Sequence, residues 1–173
     1  MKKLILLITI FSFYNAVAMD PQDQHGNTPL HNAVIAWQKS NTNAQEKAKE
    51  YAQLNDQYKQ VQREITAEQA KNRTDNNALV VLDAKCQTLL EKARMVKAEY
   101  AQYKKQTDAH KKTAIELIQN GSSIIISNSD NKTVAQLCPG LIYEFVYEPL
   151  WKAVAAGDIP TIEKCLRIGA DPE

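Results

Sequence analysis

The feature that most constrains the fold of this chain is the run Thr28-Pro29-Leu30-His31-Asn32-Ala33. Its threonine hydroxyl can cap a helix, and its proline then takes the first helical position, where a missing N–H costs nothing. Gly26 lies just upstream, where a tight turn needs a positive φ. Leu30 and Ala33 are three residues apart and share one helix face. The run therefore predicts a tight turn followed at once by a helix that packs closely on another.

The same six residues match T-P-L-H-x-A, and on this motif the chain resembles the ankyrin repeat family. Asn131–Cys138 resembles a degenerate copy of the motif, with Asn131 for the usual Gly and Gln136 for the His. Leu117–Ile124 is similar to the second helix of a repeat. Residues 150–171 resemble a further helix pair in which Trp151 takes the place of the motif His. The resemblance implies a binding scaffold in which His31 has a structural role rather than a catalytic one.

The spacing of these copies is irregular. Thr28 and Thr133 are 105 positions apart, whereas an ankyrin period is about 33 residues. Roughly 72 residues are therefore inserted within the first repeat. Only 15 positions separate Thr133 from Glu148, which stands where a motif threonine would. Pro139-Gly140 is expected to cut the second repeat short, which leaves residues 141–147 as a stunted second helix.

The insertion itself carries a heptad pattern. Apolar residues recur there at alternating spacings of three and four, which predicts two long helices, roughly 44–71 and 77–111. Between them, Asn72–Asn77 is a polar turn. We expect an antiparallel coiled-coil hairpin, with Ser40–Asn43 kinking or recapping the outgoing helix and the returning helix continuing toward Gln119. The seam residues are Tyr51, Leu54, Tyr58, Val61 and Ile65, then Leu79, Leu82, Cys86, Leu89, Ala93, Val96, Tyr100, Tyr103, Thr107 and His110.

The N-terminus has the pattern of a secretory signal peptide. Lys2 and Lys3 precede the short apolar stretch Leu4–Phe13, and Ala16-Val17-Ala18 is a small-x-small cleavage site. This predicts a mature chain that starts at Met19 and is exported, to the periplasm or beyond, with a retained membrane anchor as the alternative. No later segment is apolar enough to suggest stable membrane insertion.

The predicted fold class is therefore all-α: a short ankyrin-repeat array interrupted by a long antiparallel coiled-coil hairpin. The predicted organisation is a signal peptide (1–18), the first half of repeat 1 (19–42), the inserted hairpin (43–111), the second half of repeat 1 (112–127), a degenerate repeat 2 (128–148) and repeat 3 (149–173).

The charge, the missing catalytic motifs and the cysteine spacing limit the classes of function that the sequence suggests. The formal net charge is only +1, so nothing demands nucleic acid or an anionic membrane. The chain has no nucleophile motif, no HExxH and no glycine-rich phosphate loop, so we expect no enzyme and no cofactor. Cys86, Cys138 and Cys165 lie far apart without a Cys/His cluster, which argues against a metal site. We expect buried thiols, with a Cys138–Cys165 disulfide as the alternative in an exported chain.

The function expected from the sequence is non-catalytic binding of a protein partner, of a host or of the cell envelope, whose identity the sequence does not specify. The alternative is a structural protein that self-associates as a homo-oligomer through the predicted hairpin of residues 43–111, which we call the arm. Residues 44–112 carry a net charge of +4, and the rest of the mature chain carries −5. This division suits an acidic partner or a second copy, although a solvated surface would also explain it. The resemblance places the contact surface at Gln24, His25, Asn27, Asn32, Ile35, Ser127, Asn128 and Ser129. The last helix pair is expected to be the weakly protected edge, covered by a partner or a second copy.

Overall fold

The computed structural model describes residues 21–71 and 75–171, and every regular element in those ranges is helical. The predicted all-α class is confirmed for this part of the chain. The predicted signal peptide and the first half of the predicted polar turn, residues 72–74, lie outside the described residues. The elements are α1 (Pro29–Gln69), α2 (Asn76–Gln119), α3 (Val134–Leu137), α4 (Pro139–Ile142), a π turn (Tyr143–Tyr147), α5 (Glu148–Ala156) and α6 (Ile159–Arg167).

The chain divides into two compact units. One is formed by residues up to Trp37 and from Ala109 onward, and the other by Gln38–Asp108. Helices α1 and α2 each contribute residues to both units. The second unit largely overlaps the insertion predicted over residues 43–111.

The first unit has its own apolar core. Leu30 and Val34, on one face of α1, are fully buried. They share the core with the end of α2 and with every later helix, so all helical elements of this unit contribute to one cluster. The other buried members are Ala33, Ala114, Ile118, Ile124, Val134, Cys138, Leu141, Ile142, Val146, Leu150, Cys165, Ile168 and Ala170.

The second unit has a separate, narrower core between the two long helices. Val61 of α1 packs with Cys86 and Leu89 of α2. The contacts between the helices run in opposite order along the chain, which makes these segments antiparallel. Lys47 Nζ lies 2.8 Å from Glu99 Oε2, and the Asp75 N–H donates to Glu68 Oε1 at 3.3 Å. The flanking apolar residues are Leu54, Tyr58, Ile65 and Leu82.

Helix α1 passes through Ser40–Asn43 without a break, so the helix is not recapped there. The Thr42 hydroxyl donates to the Gln38 carbonyl at 3.0 Å. This bond satisfies the side chain inside the helix and removes the reason for a break. Helix α2 continues to Gln119, as its sequence suggested.

The backbone from Pro139 to Ala156 is one helical stretch with a π turn inside it. Tyr147 and Glu148 both have right-handed helical angles, so the helix does not start anew at Glu148, and the predicted repeat boundary at 148/149 falls inside this stretch. The Glu148 N–H donates to the Tyr143 carbonyl, five residues back. Pro149 accounts for the wider turn, because proline lacks an N–H and its ring displaces the carbonyl four residues earlier.

The three cysteines are buried free thiols, so the Cys138–Cys165 disulfide is not formed. Burial raises the pKa of the Cys138 and Cys165 thiols. The Cys165 thiol lies 3.7 Å from the Val146 carbonyl oxygen, a weak donor contact. Buried thiols with a raised pKa are suited to packing, because less of the reactive thiolate is formed.

None of the described helices combines the length and the apolar composition needed to cross a membrane.

Candidate functional site

A compact turn precedes α1, and the side chain of Asp23 within the turn holds it together. Asp23 Oδ1 accepts the N–H groups of His25 and Asn27 at 2.8 and 3.0 Å. The Asp23 N–H donates to the Asn27 carbonyl, and the Gly26 N–H donates to the Asp23 carbonyl, both at 2.9 Å. Gly26 has φ +68°, as the sequence predicted. An aspartate that binds the backbone of the following residues in this way closes a turn locally.

A second turn, 105 residues later, repeats this arrangement. Asn128 Oδ1 accepts the N–H groups of Asp130 and Lys132, both at 3.0 Å. The Asn128 N–H donates to the Lys132 carbonyl at 3.0 Å, and the Asn131 N–H donates to the Asn128 carbonyl at 2.9 Å. Asn131 has φ +56°, a left-handed conformation that asparagine tolerates, so it takes the place of Gly26. The two turns are therefore copies of one local structure.

Each turn leads into a helix through a threonine cap. The His31 N–H donates to Thr28 Oγ1 at 3.3 Å, and the Gln136 N–H donates to Thr133 Oγ1 at 3.2 Å. The return bonds also correspond, from the Thr28 N–H to His31 Nδ1 at 3.3 Å and from the Thr133 N–H to Gln136 Oε1 at 3.0 Å. Gln136 thus replaces His31 in capping its own helix.

His31 also joins the two turns. Its ring is fully buried, and Nε2 lies 3.1 Å from the Lys132 carbonyl oxygen. Because a carbonyl only accepts, Nε2 carries the proton and Nδ1 is the acceptor for Thr28. A backbone bond from the Ser129 N–H to the His25 carbonyl, 3.0 Å long, lies beside this link.

The turns touch at further points. Asn128 Nδ2 donates to Asn27 Oδ1 at 3.1 Å, and Gln22 Nε2 donates to the Ser127 carbonyl at 3.2 Å. A Cβ atom on Gly26 would lie only 2.9 Å from the Ser129 nitrogen. Glycine is therefore required at position 26 both for its φ and for the close approach of the second turn. We call residues 22–28 and 127–133 together the paired turns.

The structure brings most of the predicted contact residues together. Gln24, His25 and Asn27 lie on the first turn, and Ser127, Asn128 and Ser129 lie on the second. Asn27 and Asn128 are half-buried because they bind each other, and the other four side chains are exposed.

Two predicted contact residues lie on α1 rather than on a turn. Asn32 is exposed and donates to Asp23 Oδ2 at 3.1 Å, so it supports the first turn from the helix. Ile35 is also exposed, one helical turn further along, and is not part of the paired turns.

Sequence reasoning missed the two residues that organise the site, Asp23 and Lys132. Hydrogen bonds, first from Asn32 and then from the turn backbone, hold the pKa of the Asp23 carboxyl below its usual range. Lys132 contributes only its backbone carbonyl to the link with His31. A signal for Asp23 was present, because Asp23 and Asn128 stand at the same distance before Thr28 and Thr133, and both side chains favour turns.

Comparisons with protein-family models, with curated proteins and with solved structures give no match for this chain.

The paired turns present hydrogen-bonding groups on a preorganised backbone. Gln24 Nε2 and His25 Nε2 lie 3.3 Å apart at the exposed tip. Across residues 21–71 and 75–171, no group of three or more His, Cys, Asp or Glu side chains is placed to hold a metal ion. This arrangement is suited to recognition of another molecule by hydrogen bonds, at little entropic cost to the protein.

Proposed function

We propose that this chain is a non-catalytic protein-binding module of the ankyrin-repeat type, and that the paired turns contact its partner. The observation that carries this proposal is the repetition of one turn and cap at residues 23–31 and 128–136, with the two copies side by side. A repeated, preorganised turn is the unit from which an extended recognition surface is built. The turn backbone is already bonded within the protein, so the exposed side chains remain for a partner.

The contacts of His31 support the ankyrin assignment. The resemblance implies a histidine that bonds within or between repeats, and this ring contacts Thr28 in its own copy and Lys132 in the next. The loops that follow α2 and α6 support the assignment of these two helix ends as the second helices of repeats. Gly121 and Gly169 both have positive φ there, and each is followed by an N–H bonded to the carbonyl five residues back.

The finer assignment of the second unit as a coiled-coil hairpin belongs to the same proposal. The buried Val61, Cys86 and Leu89 all stand at predicted heptad positions. The exposed Val80 and Met95 lie off those positions, as a two-helix seam requires. In this proposal the arm is a helical insertion within the first repeat.

The test is a pull-down with the mature chain from the extracellular compartment, quantified by mass spectrometry against variants. The turn variant Gln24→Glu/Ser129→Glu places two charges on the exposed tips. The control variant Gln87→Glu/Gln102→Glu places the same charges on exposed positions of α2 in the second unit.

We expect the wild type and the control variant to retain specific proteins that the turn variant loses. The amount retained should fall at least about tenfold if the turns lie at the centre of the interface. If the turn variant retains the same proteins as the wild type, the paired turns are not the contact surface.

The alternative is a structural protein that self-associates through the arm. It is favoured by one observation, the net charge of +4 on residues 44–112 against −5 on the rest of the mature chain. Attraction between the arm of one copy and the remainder of another would weaken with salt. Sedimentation of the wild type at low and high salt separates the two functions, because the binding module requires no salt-sensitive self-association.

We also propose that the protein acts outside the cytoplasm, after cleavage before Met19. The support is the sequence pattern of residues 2–18. Intact-mass analysis of the exported protein checks it: a chain that retains Met1–Ala18 would contradict both the cleavage and the assigned compartment.

A further inference from the structure

The charges on one flank of the arm offset one another within the chain. Lys47 Nζ lies 2.8 Å from Glu50 Oε2 and 2.8 Å from Glu99 Oε2, which brings a carboxylate from each long helix to the same flank of the heptad seam. Each of these glutamates stands one residue before a seam tyrosine, Tyr51 or Tyr100, in a position that borders a heptad seam on one side. Equivalent heptad positions of the two antiparallel helices thus share a flank.

The opposite flank of α1 is uncharged. It is formed by the residues that stand four positions after a seam residue. One of them is Gln62, whose side chain donates to the Tyr58 hydroxyl at 2.8 Å. Asn55 and Ala48 stand one and two heptads before Gln62, and both are exposed. This row of α1 therefore offers no carboxylate to the helix beside it.

The equivalent row of α2 is basic. Lys97 and Lys104 stand there, one heptad apart and each four positions after a seam residue, and Arg94 lies beside the row one helical turn before Lys97. All three side chains are exposed. Within residues 21–71 and 75–171, none of the three lies within 4 Å of a carboxylate oxygen. We call Arg94, Lys97 and Lys104, with Ala48 and Asn55 across the seam, the basic side of the arm.

The basic side has room for an elongated partner. Ten residues separate Arg94 from Lys104, so the row of cations is about 15 Å long. Ala101 between them and Ala48 across the seam are short and exposed, so a partner can approach both helices closely. Tyr51 is exposed as well, and tyrosine and arginine are enriched at protein interfaces. Positive charge that is not offset within the chain attracts a negatively charged partner.

The spacing of the cations fits an acidic helix better than a nucleic acid. A helix that lies along α2 has the same rise per residue, so carboxylates at its positions i, i+3 and i+10 match the three cations one for one. A DNA duplex carries about one charge per 1.7 Å, or about nine over the same length, and three cations neutralise only about a third of these. The groove between two packed helices is also a surface on which a further helix docks.

We propose that the basic side of the arm binds an acidic helix of another protein. The partner is not a second copy, because none of the helices within the described residues presents three carboxylates at that spacing. Glu144 and Glu148, for example, stand at successive turns, but Lys152 takes the next position. This proposal does not rest on the paired turns, which belong to the first unit.

A synthetic peptide tests the binding. The probe is a fluorescein-labelled, alanine-rich peptide of about 20 residues, long enough to form a helix, with glutamates at i, i+3 and i+10. Its control peptide has glutamine at the same three positions. Fluorescence anisotropy should show that the full mature chain binds the acidic peptide with a Kd below about 1 mM, that salt weakens this binding, and that the glutamine peptide does not bind. If the acidic peptide does not bind in this range, the proposal is wrong.

Charge variants locate the site on the arm. The variant Arg94→Gln/Lys97→Gln/Lys104→Gln should weaken binding of the acidic peptide at least about tenfold, because three ion pairs are lost together. The control variant Arg63→Gln/Lys85→Gln/Lys92→Gln removes the same charges from exposed positions elsewhere on the arm, and should weaken binding less than about threefold. Equal weakening by both variants would indicate diffuse attraction to the whole arm and would overturn the proposal.

A single-stranded oligonucleotide of the same charge as the peptide separates the two classes of partner. It should bind more weakly than the acidic peptide, and tighter binding would overturn the assignment of a protein helix. The turn variant Gln24→Glu/Ser129→Glu should bind the peptide as the wild type does, so this experiment and the pull-down can fail independently.

Discussion

Replacing Gly26 by alanine tests whether the two turns pack as closely as the structure shows. Two costs arise at this position. A left-handed φ of +68° costs an alanine about 1 kcal/mol. The new Cβ would also lie 2.9 Å from the Ser129 backbone nitrogen, which cannot rotate away. Separating the turns to relieve that contact should cost about 1–3 kcal/mol more.

Gly157 provides the matched control. Its φ is +69°, almost identical to that of Gly26, but a Cβ there meets no other atom within 4 Å. Gly157→Ala should therefore lower the free energy of unfolding by about 1 kcal/mol only. The difference between the two variants isolates the contact between the turns, which we expect to be about 1–3 kcal/mol.

The assay is urea unfolding followed by tryptophan fluorescence. Trp37 and Trp151 are the only tryptophans and both belong to the first unit, so the signal reports that unit rather than the arm. Equal slopes against urea in both variants would support the comparison of free energies. Ordinary surface substitutions change the free energy of unfolding by no more than about 0.5 kcal/mol. If the unfolding free energies of Gly26→Ala and Gly157→Ala differ by less than this amount, the close approach of the turns is refuted.

Three further predictions concern the link between the turns, the arm and acid sensitivity. His31→Ala should lower the unfolding free energy of the first unit by about 2–4 kcal/mol, because it leaves buried polar groups without a hydrogen-bond partner and creates a cavity. The same fluorescence assay measures this loss, and a loss below about 1 kcal/mol would contradict the bridging role of His31. Leu89→Asp should reduce the helical circular dichroism because it buries a charge, whereas Met95→Asp, at a position 61% exposed on the same helix, should leave the helicity unchanged. Asp23 should contribute stability above its unfolded pKa of about 3.9 and lose it as the pH falls, because hydrogen bonds, first from Asn32, lower its folded pKa. The stability difference between the wild type and Asp23→Asn should therefore shrink as the pH is lowered below 4, and a pH-independent difference would show that the carboxylate charge is irrelevant.

Local signals in the sequence predicted the helix starts and the turns well. Thr28 and Thr133 cap helices, and Gly26 and Asn131 have positive φ, because each of these depends on residues within four positions. Ser40, Ala44 and Glu68 of the second unit are buried although they lie outside the predicted seam. The seam residues Val61, Cys86, Leu89 and Val96 were predicted and are buried, for a related reason. A period of three and four residues determines which side chains share a helix face, whatever else the helix contacts.

The errors arose where a local signal had two outcomes. Ser40–Asn43 contains residues that favour caps, but Thr42 binds the carbonyl four residues back and the helix continues. Pro149 could start a helix or interrupt one, and packing on both sides of it kept residues 139–156 helical, with the π turn absorbing the proline. Propensity near a single residue does not distinguish these outcomes, because the choice depends on burial of the whole stretch.

The sequence by itself determined the helical class, the positions of the two turn-and-cap copies and the apolar faces of the long helices, since all of these follow from steric preferences and periodicities within about one heptad. Tertiary structure decided what those pieces do together. The bond from His31 to Lys132 and the approach of Gly26 to Ser129 join residues more than 100 positions apart, and only the packing of the shared core sets those distances. For the same reason, only the tertiary structure could show that Trp151 is half-exposed. Tryptophan occurs both in cores and at surfaces, and the rest of the chain determines how far its side chain is covered.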